Sequence, residues 1–425
     1  MADIRPFCAL RPKKGMEAKI AALPYDVYTR AEAKEAVQGH PDSFLNIDRA
    51  ETGLDDSVDT YADEVYARAK TLLWDMVKEG KFIREDRPCY YIYQLEMNGR
   101  KQTGIAAASS VDDYLNNVIK KHENTRADKE VDRIRHVDTT NAQTGPIFLA
   151  FRRHEKLSAI VNDRLKETPV YDFCADDGIY HRMWVVSDAD TVDAIRSCFS
   201  EMDRIYIADG HHRCASAAKV AVKRREEFPG DDKNEEYNFF LSVLFPEDEL
   251  KIMDYNRVLL DAGGKSEKEL LEFVSGLFSV EKLSGKVSEG CAEEMFRPAK
   301  KGEMSMYLAG TWYRLNAHPE ICSDDAVDGL DVSVLQNAVL EPFFGITDPK
   351  TDQRIKFVGG IRGLKELEKE VDRGGVCAFA MYPTSITELF DVADAGRLMP
   401  PKSTWFEPKL RSGLLLHDIT RKASN

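Results

Sequence analysis

Apolar and polar positions alternate along the chain in short, irregularly ordered blocks. Residues 89–97 and 101–108 read as strands and flank Asn98-Gly99, a dipeptide suited to a two-residue hairpin turn. Further hairpins are predicted at Asp176-Asp177-Gly178 and between 304–308 and 311–315. Hairpins pair antiparallel, so a purely parallel sheet is excluded. Helical periodicity covers about 29–38, with Thr29 as N-cap and Gly39 as stop, and 57–79, ended by Gly80. Residues 111–141 read as a polar helical stretch, and 189–200, 211–228, 266–277, 332–343, 364–371 and 386–393 as further helices. Apolar runs at 147–151, 204–208, 239–245, 251–260 and 376–381 read as strands, and 399–419 as a loop with a closing strand. The pattern predicts an α+β fold with mixed sheets.

A chain of 425 residues exceeds one ordinary core, so two lobes are expected, 1–260 and 261–425, divided near Gly263-Gly264. The hydrophobic share of 43% with 31% charged residues is that of a folded chain, without a disorder signature. Seventy-three acidic against 59 basic residues leave a net charge of −14, which opposes a duplex nucleic-acid partner. The brief Lys223-Arg224-Arg225 run is followed at once by Glu226-Glu227. Eight scattered cysteines form no Cys-x-x-Cys pair, which argues against a zinc knuckle and fits a reducing compartment. No stretch approaches the roughly 20 apolar residues of a membrane span. The first residues lack the apolar core of a secretory leader. A cytoplasmic protein without membrane or nucleic-acid partners is expected; the oligomeric state is not legible.

Four constellations could carry chemistry. In Ile205–Arg213 an apolar strand meets Asp209-Gly210 and a helix begins at once with His211-His212-Arg213. A helix start presents free N–H groups and the positive end of a dipole to an anion, and Gly210 lets the backbone come close. Arg213 can fork onto a phosphate, the histidines can donate, and Asp209 can act as base or metal ligand. Its bland alternative is a capped helix with surface histidines. Second, Lys121-His122-Glu123-Asn124-Thr125, followed by Asp132-Arg133 and Arg135-His136, offers acid–base, metal-binding and hydrogen-bonding groups, or a solvated helix start. Third, Lys402-Ser403-Thr404 supplies an ammonium and two hydroxyls suited to phosphate, without P-loop spacing, or else a proline-stiffened surface turn. Fourth, Pro24 fixes a turn from which Tyr25 and Asp26 project; a structural turn is the plainer reading, and both are kept as candidate substrate-binding residues with Asn124 and Thr125.

Taken together, these segments resemble a bacterial and archaeal family of uncharacterised proteins, DUF1015. The landmarks are Arg5-Pro6-Phe7 with Pro24-Tyr25-Asp26-Val27, His122-Glu123-Asn124-Thr125, Asp209-Gly210-His211-His212-Arg213, Leu330-Asp331-Val332 through Leu335, Gly345-Ile346, and Pro401-Lys402-Ser403-Thr404 with Phe406, Pro408 and Lys409. The family name carries no activity, although its members tend to be encoded beside serine-biosynthesis enzymes. The Gly-His-His-Arg turn also resembles the phosphate motif of the ParB/sulfiredoxin superfamily. Sulfiredoxins have a nucleophilic cysteine where this chain has His211, and Cys214 does not restore it. Free serine kinases of that superfamily use an Asp-Gly-His-His-Arg-like turn and a second carboxylate, for which Glu123 is the counterpart here. The resemblance implies a ParB/sulfiredoxin-like nucleotide-binding core and phosphoryl transfer from ATP or ADP, with Mg2+ at Asp209 and Glu123, to a small hydroxy amino acid, serine favoured. It implies phosphate contacts from Gly210, His211, His212, Arg213, Lys402, Ser403 and Thr404, and catalytic roles for Asp209, Glu123 and His122. A phosphoserine phosphatase, a nucleotide-binding regulator and a purely structural partner of a biosynthetic enzyme are the rival readings.

Overall fold

The computed structural model describes residues 1–125 and 127–421. They fall into two compact units, Met1–Leu250 with the segment beginning at Pro408, and Lys251–Glu407.

In the first unit nine strands of the described residues form one sheet: β1 (Ile4–Arg5), β2 (Tyr90–Met97), β3 (Arg100–Ser110), β4 (Ile119–Lys120), β5 (Ile147–Phe151), β6 (Tyr171–Cys174), β7 (Tyr180–Val186), β8 (Ile205–Asp209) and β9 (Phe239–Pro246). The order is β4-β8-β5-β9-β3-β2-β7-β6, with β1 added on β3. Most neighbours are antiparallel, but β8 runs parallel to β4, and β9 parallel to β5. The β2–β3 turn places Asn98 at φ 53° and Gly99 at φ 77°, the left-handed pair that an Asn-Gly hairpin requires. The hairpins at 176–178 and 304–315 are likewise present.

Three helices of this unit matter to the site: α1 (Asp63–Lys78), α2 (Ala127–Thr140) and α3 (His211–Glu227), with α2 packed against both others. Ile205 and Ile207 of β8 are fully buried with Cys214, Ala217, Ala218 and Ala221 of α3. Burying a side chain of isoleucine size stabilises by about 1.5–3 kcal/mol, so the strand and the helix are both anchored where they meet. The alanines allow the helix to lie close on the sheet.

Two expected elements are revised. The single helical stretch 111–141 is broken: Val111–Leu115 is a short helix capped by Ser110, Asn117 turns left-handed at φ 60°, and β4 intervenes before α2. Paired asparagines favour a turn, and the β-branched Val118-Ile119 favours a strand. The helix expected from residue 57 begins at Asp63, because the Asp55 and Asp59 carboxylates take the Ser57 and Tyr61 N–H groups in local turns.

The second unit holds an antiparallel sheet ordered Phe278–Lys282, Thr311–Ala317, Glu303–Leu308, Cys377–Met381, Tyr255–Leu259 and Ile355–Gly359. Helix Leu364–Asp372 packs Leu364, Leu367 and Val371 into a core with Val258 and Trp312. The helix expected at 332–343 contains a π-helical stretch, Gln336–Leu340. The whole is α+β, and no helix among the described residues is long and apolar enough to cross a membrane.

Candidate functional site

The junction of β8 and α3 is a left-handed turn. Gly210 sits at φ 91°, which an L side chain adopts only with strain, and serves as N-cap of α3. The first intrahelical bond runs from the Cys214 N–H to the Gly210 carbonyl, so the N–H groups of His211, His212 and Arg213 precede the helical ladder. At the strand end, Asp209 accepts the Gly210 N–H at 2.7 Å through one oxygen and the Lys409 ammonium at 2.8 Å through the other. Burial alone would raise the Asp209 carboxyl, but Lys409 and Arg213 outweigh it and hold the carboxyl far below the ordinary carboxylate range. Arg213 donates through Nη1 to the Pro146 carbonyl at 2.7 Å. A Cβ on Gly145 would come within 3.1 Å of Arg213 Nη1 and 3.2 Å of Ser412 Oγ, so glycine there admits the guanidinium. Two cations and one carboxylate thus meet at a helix N-terminus, a local positive excess in a chain of net charge −14.

The parallel register Ile205↔Ile119 and Tyr206↔Lys120 carries His122 alongside the end of β8. The His122 and His211 rings meet edge to face at 4.5 Å, both buried. Burial pushes His122 down to about 4, opposed by the Ile207 main chain and the Asp209 charge. Burial and the neighbouring His122 push His211 well below the usual range. Both imidazoles are therefore neutral at physiological pH. Among the described residues, His122 Nδ1 and His211 Nε2 have no hydrogen-bond partner. Glu123 follows at a half-buried position and Asn124 is exposed. The Thr125 hydroxyl donates to the Glu130 carboxylate, which also pairs with Lys219 of α3. His212 is half-buried, and its carbonyl accepts the Ser216 hydroxyl.

Beside Arg213 lies a partly open cavity lined by Tyr25, Asp48, Arg133, His136 and Ser412 among others. Tyr25 is buried, with the Arg133 guanidinium 3.9 Å above its ring, while Asp26 is exposed. Burial raises the Tyr25 hydroxyl to about 12, against the pull of Arg133 and Arg213. Arg133 is also paired with Asp132, which accepts the Tyr66 hydroxyl. Lys402, Ser403 and Thr404 belong to the second unit. There the Lys402 carbonyl accepts from Arg257, and the Ser403 hydroxyl donates to the Pro400 carbonyl at 2.6 Å.

Lys409 lies in the segment from Lys402 to Arg411, and nothing in the sequence ties it to the Asp209 turn. Arg133 and His136 belong to the polar constellation that follows His122–Thr125, with no signal that they line a cavity, and Asp48 has no signal at all. Among the described residues, no three His, Cys, Asp or Glu side chains cluster as a metal cage. Mg2+ needs none, since it keeps waters and takes one or two carboxylates beside phosphate oxygens. Each Asp209 oxygen keeps a lone pair beyond its present bond, so the donor set fits a phosphate-borne Mg2+ and not an all-protein site.

The sequence profile described as protein of unknown function (DUF1015) matches residues 4–333, well over half of the chain. The chain belongs to the DUF1015 family. No curated protein matches this DUF1015 member. Among solved structures it is similar to a free serine kinase in complex with AMP, at 14% identity and a TM-score of 0.33, over 73% of this chain and 91% of that one. It is also similar to SbnI with a C-terminal truncation from Staphylococcus aureus, at 12% identity and a TM-score of 0.36, over 75% and 90%. A conserved hypothetical protein from Pyrococcus furiosus matches at 14% identity and a TM-score of 0.31, over 73% and 94%.

Proposed function

We propose that this DUF1015 protein transfers a phosphoryl group from ATP or ADP to a small hydroxy amino acid, serine favoured, on a ParB/sulfiredoxin-like core. The observation that carries the reading is the convergence of Arg213, Lys409 and the α3 N-terminus on one glycine turn, a preformed cradle for phosphate. Serine enters through the likeness of the turn to that of free serine kinases.

In this mechanism the Gly210–Arg213 turn binds the nucleotide phosphates, with Arg213 clamping an oxygen pair and Lys409 acting as a point charge. Asp209 is already ionised and doubly hydrogen-bonded, which makes it a weak base. Its work is to hold Lys409 and Arg213 in place and to offer a lone pair to Mg2+. Bound Mg2+ would neutralise charge on the phosphates. Glu123 takes the proton of the acceptor hydroxyl. The acceptor oxygen then bonds to the terminal phosphorus as the bridging P–O bond breaks, and ADP leaves from ATP, or AMP from ADP. His122 and His211, neutral and buried, fix the shape of the turn and can donate without adding charge.

A nucleotide-binding regulator is the second reading, favoured by the Asp209–Lys409 pair, which ties up the turn's carboxylate as a base. Titration with ADP and ATP followed by product analysis separates the two. Phosphoserine formation supports transfer, nucleotide binding without product supports the regulator, and absence of nucleotide binding rejects both.

A further inference from the structure

The cavity beside Arg213 carries polar groups that the phosphate turn does not use. Asp48 is buried, and the only hydrogen bond to its carboxylate among the described residues comes from the neutral Thr144 hydroxyl at 2.8 Å. A buried carboxylate without a contacting cation is costly, and a positive group brought to it would be held firmly. Across the same cavity, Arg133 engages Asp132 through Nε and Nη2, leaving Nη1 without a hydrogen bond among the described residues. The Tyr25 hydroxyl, also without a partner there, stands in the field of both Arg133 and Arg213. Asp48 and Arg133 feel each other's charge, yet no ion pair joins them among the described residues. Opposite charges that face one cavity without closing on each other leave room for a ligand with both signs. His136 is pushed below its usual range by burial and by Arg133, and it bonds the Ile47 carbonyl, so it adds no competing charge.

We propose that this cavity recognises the acceptor as a small zwitterion, its ammonium on Asp48 and its carboxylate on Arg133 and the Tyr25 hydroxyl. The hydroxyl of such a ligand lies on the Arg213 side, where the phosphate turn begins. Asp48 argues against a second nucleotide phosphate in the same place, because the carboxylate repels it. The inference rests on the phosphoryl-transfer reading for the word acceptor, but its binding content stands without turnover.

The test uses the full-length protein. Calorimetric titration with L-serine, L-threonine, L-homoserine and O-phospho-L-serine, with and without ADP, is compared with ethanolamine, which lacks the carboxylate, and 3-hydroxypropionate, which lacks the ammonium. At least one amino acid is expected to bind, and each truncated analogue of serine to bind about tenfold more weakly or worse, one charged hydrogen bond's worth. No binding by any of the amino acids at millimolar concentration, or an analogue within about twofold of serine, overturns the proposal. Asp48→Asn should weaken serine binding about tenfold while leaving 3-hydroxypropionate, which lacks the ammonium and is repelled by Asp48, bound at least as well as before, a pattern that misfolding does not produce. Equal losses for both ligands overturn it. Tyr25→Phe, which removes only the hydroxyl, should weaken serine and 3-hydroxypropionate but leave ethanolamine alone. If serine binds as described but no phosphoester forms, the zwitterion site stands and the kinase reading fails. If phosphate is transferred to ethanolamine as readily as to serine, the kinase chemistry stands and the zwitterion site fails.

Discussion

Replacing Lys409 by Met keeps the length and apolar stem of the side chain and removes the ammonium that holds Asp209. The Lys409 side chain is 18% exposed and that of Asp209 35%. The pair therefore lies between an exposed pair, at about 0.2–1 kcal/mol, and a buried one whose breakage costs about 3–5 kcal/mol. Asp209 keeps the Gly210 N–H and the nearby Arg213, which shifts the expectation to the lower half, about 1–2 kcal/mol. At about 2–4 °C per kcal/mol for a unit of this size, Lys409→Met should melt several degrees below wild type at pH 7. The sign of the pH dependence follows from the depressed Asp209. A carboxylate lowered on folding contributes its stability above the unfolded value of 3.8 and loses it as the pH falls toward the folded one. The gap between wild type and variant should therefore be full at pH 7 and shrink below about pH 4. Lys409 is also a phosphate donor in the proposed site, so ADP affinity should drop by about 1.5–3 kcal/mol, roughly tenfold or more. Guanidinium melts at pH 7 and pH 3 with calorimetric ADP titration measure both. Unaltered ADP affinity together with a stability gap that does not change with pH would refute the reasoning.

Arg213→Ala should weaken ADP binding by about 1.5–3 kcal/mol and cost about 1–2 kcal/mol of stability through the lost Pro146 bond and the lost attraction to Asp209, checked by titration and melting together. Gly145→Ala should push the Arg213 guanidinium aside by a few tenths of an ångström and reduce nucleotide affinity, whereas unchanged affinity would show the close approach to be irrelevant. Gly210→Ala meets a backbone at φ 91°, so a stability loss of about 1–2 kcal/mol is expected on denaturant unfolding. Burial keeps His122 neutral down to about 4, whereas an unfolded histidine binds its proton near 6.5; stability should fall by about 3 kcal/mol as the pH drops across that window. His122→Gln should make that slope shallower by this one group's share, the other buried histidines keeping theirs, and an unaltered slope would place the titration elsewhere.

The β8–α3 junction was legible because its signals agree: an apolar run, a glycine at the strand end, and a helical pattern from His211 onward. The Asn-Gly hairpin was legible for the same reason, since Asn98 and Gly99 both accept left-handed backbone. Residues 111–141 misled because their polarity hid a two-residue strand, and a strand that short has no period. It exists because β8 offers Ile119 and Lys120 a parallel partner, a tertiary fact absent from the local pattern. The Asp209–Lys409 pair joins residues 200 positions apart, beyond the reach of any spacing rule. Arg133 was legible as part of a polar constellation but Asp48 was not, and their pairing was invisible because it lies in sharing one cavity, which only the packing of α2, α3 and the Tyr25 turn creates.

The most direct test of the central claim is phosphorus NMR of the full-length protein with L-serine, Mg2+ and either ATP or ADP. The account predicts a phosphoserine resonance that grows in step with ADP formed from ATP or AMP formed from ADP, and that is strongly slowed by Arg213→Ala. No phosphoester from wild-type protein shown to bind both nucleotide and serine would contradict it, as would an Arg213→Ala variant that forms phosphoserine at the wild-type rate.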